Sequence, residues 1–121
     1  MLVMRTAQLE ALRASAQQRF EERLMAHLGR IFPRPCAVLG EAGLRHLCRD
    51  GIARARTYGL RSERDLCKYL SLMLVFGHNF DREQPWAAEI LQLGSAPGRR
   101  MERLYATAQE RAGEGQGTDV A

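Results

Sequence analysis

The feature that most constrains the fold is an apolar run near the middle of the chain. Between Asp65 and Gly77 almost every residue is apolar, so a helix over residues 63–76 has little polar face in its second half. Such a helix is stable only when other elements cover most of its sides. We therefore predict a buried central helix beneath the first and last helices, with these residues in the core: Leu66, Leu70, Met73 and Leu74.

Boundary signals flank this helix on both sides. Ser62, followed three residues later by Asp65, is typical of an N-terminal capping box. Gly77 begins a stretch of turn-forming residues and ends the helix. Gly59, followed by the apolar Leu60, predicts a Schellman ending for the preceding helix, with the glycine in the left-handed conformation.

Periodic apolar positions predict a long first helix over residues 8–32, with Thr6 as its N-cap and Pro33 as its stop. Its inward stripe is predicted to contain Leu9, Leu12, Ala16, Phe20, Leu24, Leu28 and Ile31. Its outward side is predicted to contain Glu10, Arg13, Gln17, Glu21 and Arg30. A single amphipathic helix facing a core would show this pattern.

A second helix is predicted over residues 39–58. Its inward positions are Leu44, Leu47, Cys48, Ile52, Ala55 and Tyr58. Helical phase places four arginines mostly outward: Arg45, Arg49, Arg54 and Arg56. A bend at Pro33 and Pro35 separates this helix from the first, because proline lacks the amide hydrogen that a helix interior needs.

Two further helices complete the predicted fold. Pro85 opens a fourth helix, where its missing donor costs nothing, with Asp81 as a structural cap and Trp86 packed on the end of the third helix. A last amphipathic helix ends near residue 111. Strict alternation is nowhere long enough for a strand. We predict an all-α compact bundle of about five helices in one domain, residues 1–112, with a disordered tail, residues 113–121.

Composition narrows the class of protein. Of 121 residues, 45% are apolar and 26% are charged, which argues against a disordered chain. Three cysteines are an odd number at irregular spacing, and no apolar run approaches the length of a membrane span. We expect a cytoplasmic protein with no membrane association, in a reducing compartment.

Few residues carry the pattern of a catalytic or metal site. The candidate metal ligands lack metal-binding spacing, so we predict no metal and no cofactor; they are His27, Cys36, His46, Cys48, Cys67 and His78. The chain has no nucleophile elbow and no glycine-rich phosphate loop. His78 with Asp81 and Glu83 is the remaining acid–base candidate, but a helix ending and a cap explain these residues better. We predict that the protein is not an enzyme.

Nucleic-acid binding is the alternative that the residues themselves favour. All but one of the 18 basic residues are arginine, Lys68 being the exception. A basic series spans one helix, a turn and the next helix: Arg45, Arg49, Arg54, Arg56, Arg61 and Arg64. However, Glu63 and Asp65 would face phosphates at the start of the second of these helices, which is also too apolar to lie in a groove. We therefore rank this function below protein binding.

Several motifs together resemble a known family. They are Ser62-Glu63-Arg64-Asp65-Leu66, Tyr69-Leu70-Ser71-Leu72-Met73, Phe76-Gly77-His78-Asn79-Phe80-Asp81, Pro85-Trp86-Ala87 and Met101-Glu102-Arg103-Leu104-Tyr105. With them the chain resembles, over residues 8–108, small helical proteins encoded in bacterial type VI secretion clusters beside the spike protein and its effector. The resemblance implies a non-enzymatic adaptor or chaperone that helps to load an effector onto the spike. A cognate immunity protein from the same gene neighbourhood is its alternative.

The expected partner surface is an apolar patch rimmed by arginine. Arginine pairs with carboxylates in a bidentate manner, which favours an acidic partner. The predicted partner contacts are Arg45, Arg49, Arg56 and the loop aromatic Phe80. The residues predicted to hold the fold are Ser62, Asp65, Gly77, Asp81, Pro85 and Trp86. The oligomeric state is left open.

Overall fold

A computed structural model describes residues 5–94 and 96–119, with side chains as far as residue 112. Throughout the described residues the regular structure is α-helical and contains no strand, which confirms the all-α prediction. The helices are α1 (Thr6–Ile31), α2 (Pro33–Thr57), α3 (Glu63–Phe76), α4 (Phe80–Glu83), α5 (Pro85–Leu91) and α6 (Pro97–Asp119). Helix α6 continues to Asp119, beyond the predicted helix end near residue 111. The predicted disorder of the tail, residues 113–121, stays a prediction, and residues 120 and 121 lie outside the described residues.

The chain divides into two compact units, Met1–Arg49 and Asp50–Ala121. The first unit contains α1 and most of α2. The second contains the end of α2 and all of α3 to α6. A single domain over residues 1–112 remains a prediction, and each unit is described by itself below.

In the first unit, α1 begins at Thr6, two residues earlier than predicted. Arg5 occupies the N-cap position with an extended backbone, and the side-chain oxygen of Gln8 accepts a hydrogen bond from the Arg5 amide at 3.0 Å. Thr6 is the first helical residue, so its prediction as the cap is wrong. The helix ends at Ile31, ahead of Pro33, as the proline predicts.

The second helix starts earlier than predicted and is interrupted. It begins at Pro33, where proline is tolerated because a first-turn amide has no helical partner. Gly40 then breaks the helix with φ 73° and ψ 173°, a conformation that L-residues with a side chain rarely adopt. The part of α2 that follows buries Leu44, Leu47 and Cys48, as predicted.

In the second unit, the predicted Schellman ending of α2 is confirmed. Gly59 has φ 84° and its amide donates to the carbonyl of Arg56 at 3.0 Å. The Leu60 amide donates to the carbonyl of Ala55 at 3.1 Å, and the Leu60 side chain is buried. Both bonds satisfy carbonyls that the helix end would otherwise leave unpaired.

The third helix has the predicted bounds and the predicted start. Ser62 Oγ accepts a hydrogen bond from the Asp65 amide at 3.1 Å, and Gly77 ends the helix with φ 112°. Its buried residues are Leu66, Tyr69, Leu70, Ser71, Leu72 and Met73, and the helix packs against α4 and α6. Leu74 is only half-buried and Val75 is 49% exposed, so the prediction of a core position for Leu74 is wrong. Neighbouring elements cover one side of the last turn rather than its whole circumference.

The turn after α3 contains an unpredicted short helix, α4, followed by α5. Pro85 is in the first turn of α5, as predicted. The half-buried Trp86 ring meets Phe76 edge-on, with ring centroids 5.2 Å apart, which confirms that Trp86 packs on the end of α3. Helix α5 packs against α4 and α6.

Candidate partner-binding surface

The N-terminal half of α1 presents apolar side chains to solvent. Leu9 is 39% exposed and Leu12 is 54% exposed, and every other residue from 5 to 16 is exposed as well. Ala16 is exposed and Phe20 is half-buried. The prediction of an inward position is therefore wrong for Leu9, Leu12 and Ala16, and we call these three residues together with Phe20 the α1 stripe.

Helical geometry explains why one part of the predicted stripe is exposed and another part is buried. At about 100° per residue, the α1 stripe occupies an arc of about 80°. The buried residues of this helix, Glu21, Leu24 and Leu28, centre on a direction about 110° away from it. The apolar pattern thus turns around the helix, and of the predicted stripe only Leu24 and Leu28 are buried in the first unit. Ile31 is 52% exposed, so its prediction as an inward residue is wrong.

A buried carboxylate marks the inward side of α1. Glu21 was predicted to face outward, but its side chain is only 4% exposed, and Arg49 Nε lies 3.1 Å from Glu21 Oε2. A buried carboxylate needs such a partner, because leaving water costs it several kilocalories per mole. Arg49 is exposed, as predicted, and it also holds this internal ion pair.

The other predicted arginine contacts differ from one another. Arg45 is partly buried and pairs with Glu41 at 3.5 Å, whereas Arg56 is exposed. The Arg45–Glu41 pair lines a surface concavity of about 450 Å³ together with Ala42, His46 and Arg49. A second concavity of about 460 Å³ has a largely apolar lining that includes Met25, Ala26, Cys36, Ala37 and Leu44. Both concavities belong to the first unit.

Phe80 cannot serve as the predicted partner contact in this structure. Its side chain is completely buried, with its ring centroid 5.0 Å from that of Tyr69. The turn-forming sequence around it suggested an exposed loop. Instead the short helix α4 turns Phe80 inward.

Asp81 is the centre of a buried charge cluster that sequence reasoning missed. Its Oδ1 lies 3.1 Å from Arg54 Nη1, and its Oδ2 accepts a hydrogen bond from the Tyr58 hydroxyl at 2.6 Å. The side chain of Asp81 is fully buried. Asn79 and Gln84 are the N-cap residues of α4 and α5, so the prediction of Asp81 as a cap is wrong.

Arg54 connects this cluster to the turn after α3. It was predicted to point outward, but its side chain is 16% exposed and donates to the His78 carbonyl at 2.8 Å and to Asn79 Oδ1 at 3.0 Å. Asp50 Oδ2 lies 3.4 Å from Arg54 Nη2 and 2.5 Å from His78 Nε2. These contacts hold the end of α2 against the α3–α4 turn.

The cluster changes the acidity of one of its members. Burial, with the hydrogen bond to Asp81 as a second cause, raises the pKa of Tyr58 from 10.0 to about 12. The hydroxyl therefore remains protonated and continues to donate to the carboxylate across the neutral range. The only sequence signal for the cluster is the spacing of Asp50 and Arg54, which are four residues apart on one helix.

The residues that the structure describes show neither a metal-binding cluster nor a membrane-spanning helix. They contain no group of three His, Cys, Asp or Glu side chains that could hold a metal ion. No helix among them combines the length and the apolar character that crossing a membrane requires. Burial raises the pKa of the Cys36 thiol, which disfavours the reactive thiolate at that position.

Comparison with known proteins assigns no family. No protein-family model, curated protein or solved structure matches this chain. The functional argument therefore depends on the surface of the molecule and on the motifs described above.

Proposed function

We propose that this protein is a non-enzymatic accessory of a type VI secretion system, an adaptor or chaperone that binds an effector or the spike protein. The family resemblance of residues 8–108 supplies the biological setting. The observation that carries the proposal is the α1 stripe, because it gives the chain an apolar surface available to another protein.

The argument starts from the stability of α1. A helix of a few turns is marginal in water unless its apolar face is packed. In residues 6–16 that packing is missing, since every side chain is exposed. A partner that covered Leu9 and Leu12 would remove apolar area from water at about 25 cal/mol per Å² and would hold the helix in place. A helix face with residues at i, i+3 and i+7 is a common docking element.

Co-purification tests the proposal. The tagged full chain is co-expressed with the effector and spike genes encoded beside it, and the retained proteins are identified by mass spectrometry. We expect one of them to be retained. The double variant Leu9→Ser, Leu12→Ser should lose it, because serine removes the apolar contact area. The matched control, Val75→Ser with Leu93→Ser, changes two exposed apolar residues of the second unit and should retain it.

Two further outcomes decide the role. An adaptor is required for effector delivery and does not protect a target cell that produces the effector, whereas an immunity protein protects it. If neither neighbour is retained and deletion of the gene leaves secretion unchanged, the proposal is wrong.

A further inference from the structure

Arginines line both edges of the α1 stripe. At about 100° per residue, four of them fall within about 40° of one another around the phase of Leu12, and a fifth lies about 20° beyond Phe20 on the other side. The most C-terminal of the four lies about 15 Å beyond the end of the stripe along the helix axis. The four are Arg5, Arg19, Arg23 and Arg30, and the fifth is Arg13. All five are exposed.

The acidic residues of α1 lie away from this face. Helical phase places Glu10 and Glu22 about 60° or more beyond the arginine edges. Glu21 is buried and paired with Arg49. The surface around the stripe therefore combines apolar side chains with positive charge alone.

Two of these arginines lie along the helix surface. The Arg19 guanidinium donates to Ser15 Oγ at 2.9 Å, and the Arg23 guanidinium lies over the Phe20 ring at 5.8 Å from its centroid. The Arg23 guanidinium thus stays on the stripe, where a carboxylate of a docked chain would reach it, and the Arg19 guanidinium is held close to the helix surface on the Leu12 side. Holding a side chain in place in advance reduces the entropy lost on binding.

These charges discriminate between kinds of occupant. A second copy of the same stripe would bring like charges together, which opposes self-association. A nucleic acid would satisfy the arginines but would place Leu9, Leu12 and Phe20 against phosphates. An acidic amphipathic helix satisfies both features, since its apolar side covers the stripe while its carboxylates pair with arginines on each edge.

We infer that the α1 stripe binds an acidic amphipathic helix of the partner, with apolar residues at helical spacing and Glu or Asp on both flanks. This inference depends on the proposed function for the identity of the partner. The chemistry of the site can be tested without it.

The probe is a fluorescein-labelled helical peptide with Leu at i, i+3 and i+7 and Glu at the flanking positions. A matched peptide carries Lys in place of each Glu. Fluorescence anisotropy with the full-length protein measures the dissociation constant of each peptide. We expect the acidic peptide to bind on the order of tenfold more tightly than the basic one, with a preference that weakens as salt is raised.

Charge reversal on the two edges supplies the second measurement. Arg13→Glu with Arg19→Glu should remove the preference for the acidic peptide and favour the basic one. The control, Arg61→Glu with Arg64→Glu, makes the same change in net charge at two exposed arginines of the second unit and should leave the preference intact. Circular dichroism on each variant verifies that the helical content is unchanged.

Three results would overturn the inference. The first is equal binding of both peptides, or binding of neither. The second is a DNA duplex that binds more tightly than the acidic peptide and depends on Arg13 and Arg19. The third is a dimer in sedimentation that Leu12→Ser dissociates. Failure of co-purification while the acidic peptide still binds through these arginines would count against the secretion partner and not against the chemistry of the surface.

Discussion

The N-terminal half of α1 and the helix α3 both have apolar residues at three- and four-residue steps, but their surroundings are opposite. In α3, Leu66, Leu70 and Met73 are almost completely buried, whereas Leu9 and Leu12 of α1 are exposed. Spacing reveals which side of a helix is apolar, but coverage depends on whether another element reaches that side. The apolar side chains of α3 extend nearly all around the helix, while those of α1 form one narrow stripe edged with arginine.

The charged residues of the same two regions show a parallel contrast. Arg13 and Arg19 of α1 are in solvent, whereas Arg54 of the second unit is largely buried against Asp81. Arginine thus forms a charged edge on the surface of α1, whereas in the second unit it forms an internal ion pair. Four substitutions test this contrast, from the largest expected effect to the smallest.

Asp81→Ala should have the largest effect. Removing the carboxylate leaves Arg54 and the Tyr58 hydroxyl without their buried partner, and breaking a buried pair in this way costs about 3–5 kcal/mol. Urea unfolding followed by circular dichroism measures the loss. The double variant Arg54→Met, Asp81→Ala should recover part of it, because no unpaired buried charge remains. A loss near the value for an exposed cap residue, about 1 kcal/mol, would place Asp81 at the surface.

Leu70→Ala tests the packing of α3. Leu70 is completely buried, so truncation should lower the free energy of unfolding by about 2–5 kcal/mol through lost transfer energy and the remaining cavity. The same urea titration gives the value. Val75→Ala, at an exposed position of the same helix, is the control and should cost much less. A change below about 0.5 kcal/mol for Leu70→Ala would contradict its core position.

Tyr58→Phe should have an intermediate, pH-dependent effect. It removes a hydrogen bond to a buried carboxylate, worth about 1.5–3 kcal/mol near neutral pH. Because folding raises the pKa of Tyr58 from 10.0 to about 12, its stabilising contribution is complete below pH 10 and is lost as pH rises through about 12. Urea unfolding titrations at pH 8 and pH 11 measure the free energy of unfolding of wild type and variant. The difference between the two proteins should be smaller at pH 11 than at pH 8. A constant difference would mean that Tyr58 ionises alike in the folded and unfolded chain.

Leu12→Ala should have the smallest effect on stability. The side chain is exposed, and alanine favours the helix, so the free energy of unfolding should change by less than about 0.5 kcal/mol. Partner binding should weaken in the same variant. A loss of more than about 1 kcal/mol in the isolated protein would show that the α1 stripe is already covered, and the contrast with α3 would fail.

The features that sequence reasoning located correctly depend on neighbouring residues. The Gly59–Leu60 ending and the Ser62 cap each involve atoms within about one or two helical turns. Their chemistry is therefore complete in a short segment, wherever that segment lies in the fold. The same is true of Pro85 at the start of α5.

The errors concern partners that are distant in sequence. Glu21 faces inward because of Arg49, 28 residues later, and Arg54 does so because of Asp81, 27 residues later. Helical phase measured from Leu24 and Leu28 does place Glu21 on the buried side of α1, but it contains no information about the distant partner that compensates a buried charge. For the partner surface, an apolar patch edged with arginine was expected around α2 and Phe80, whereas α1 presents those properties together. The recurrence of arginine along one side of α1 is the signal that could have identified it.

Gly40 and Gly51 show that two glycines of one helix can resist substitution for unrelated reasons. At Gly51, an added Cβ would lie against Leu70 and only 2.6 Å from Met73 Sδ, so the penalty there should grow with side-chain volume. At Gly40 an added Cβ would meet nothing within 4 Å, and the restriction arises from the backbone alone. Alanine and tryptophan should therefore be almost equally unfavourable at Gly40. The restriction at Gly40 is therefore on backbone conformation rather than on side-chain size.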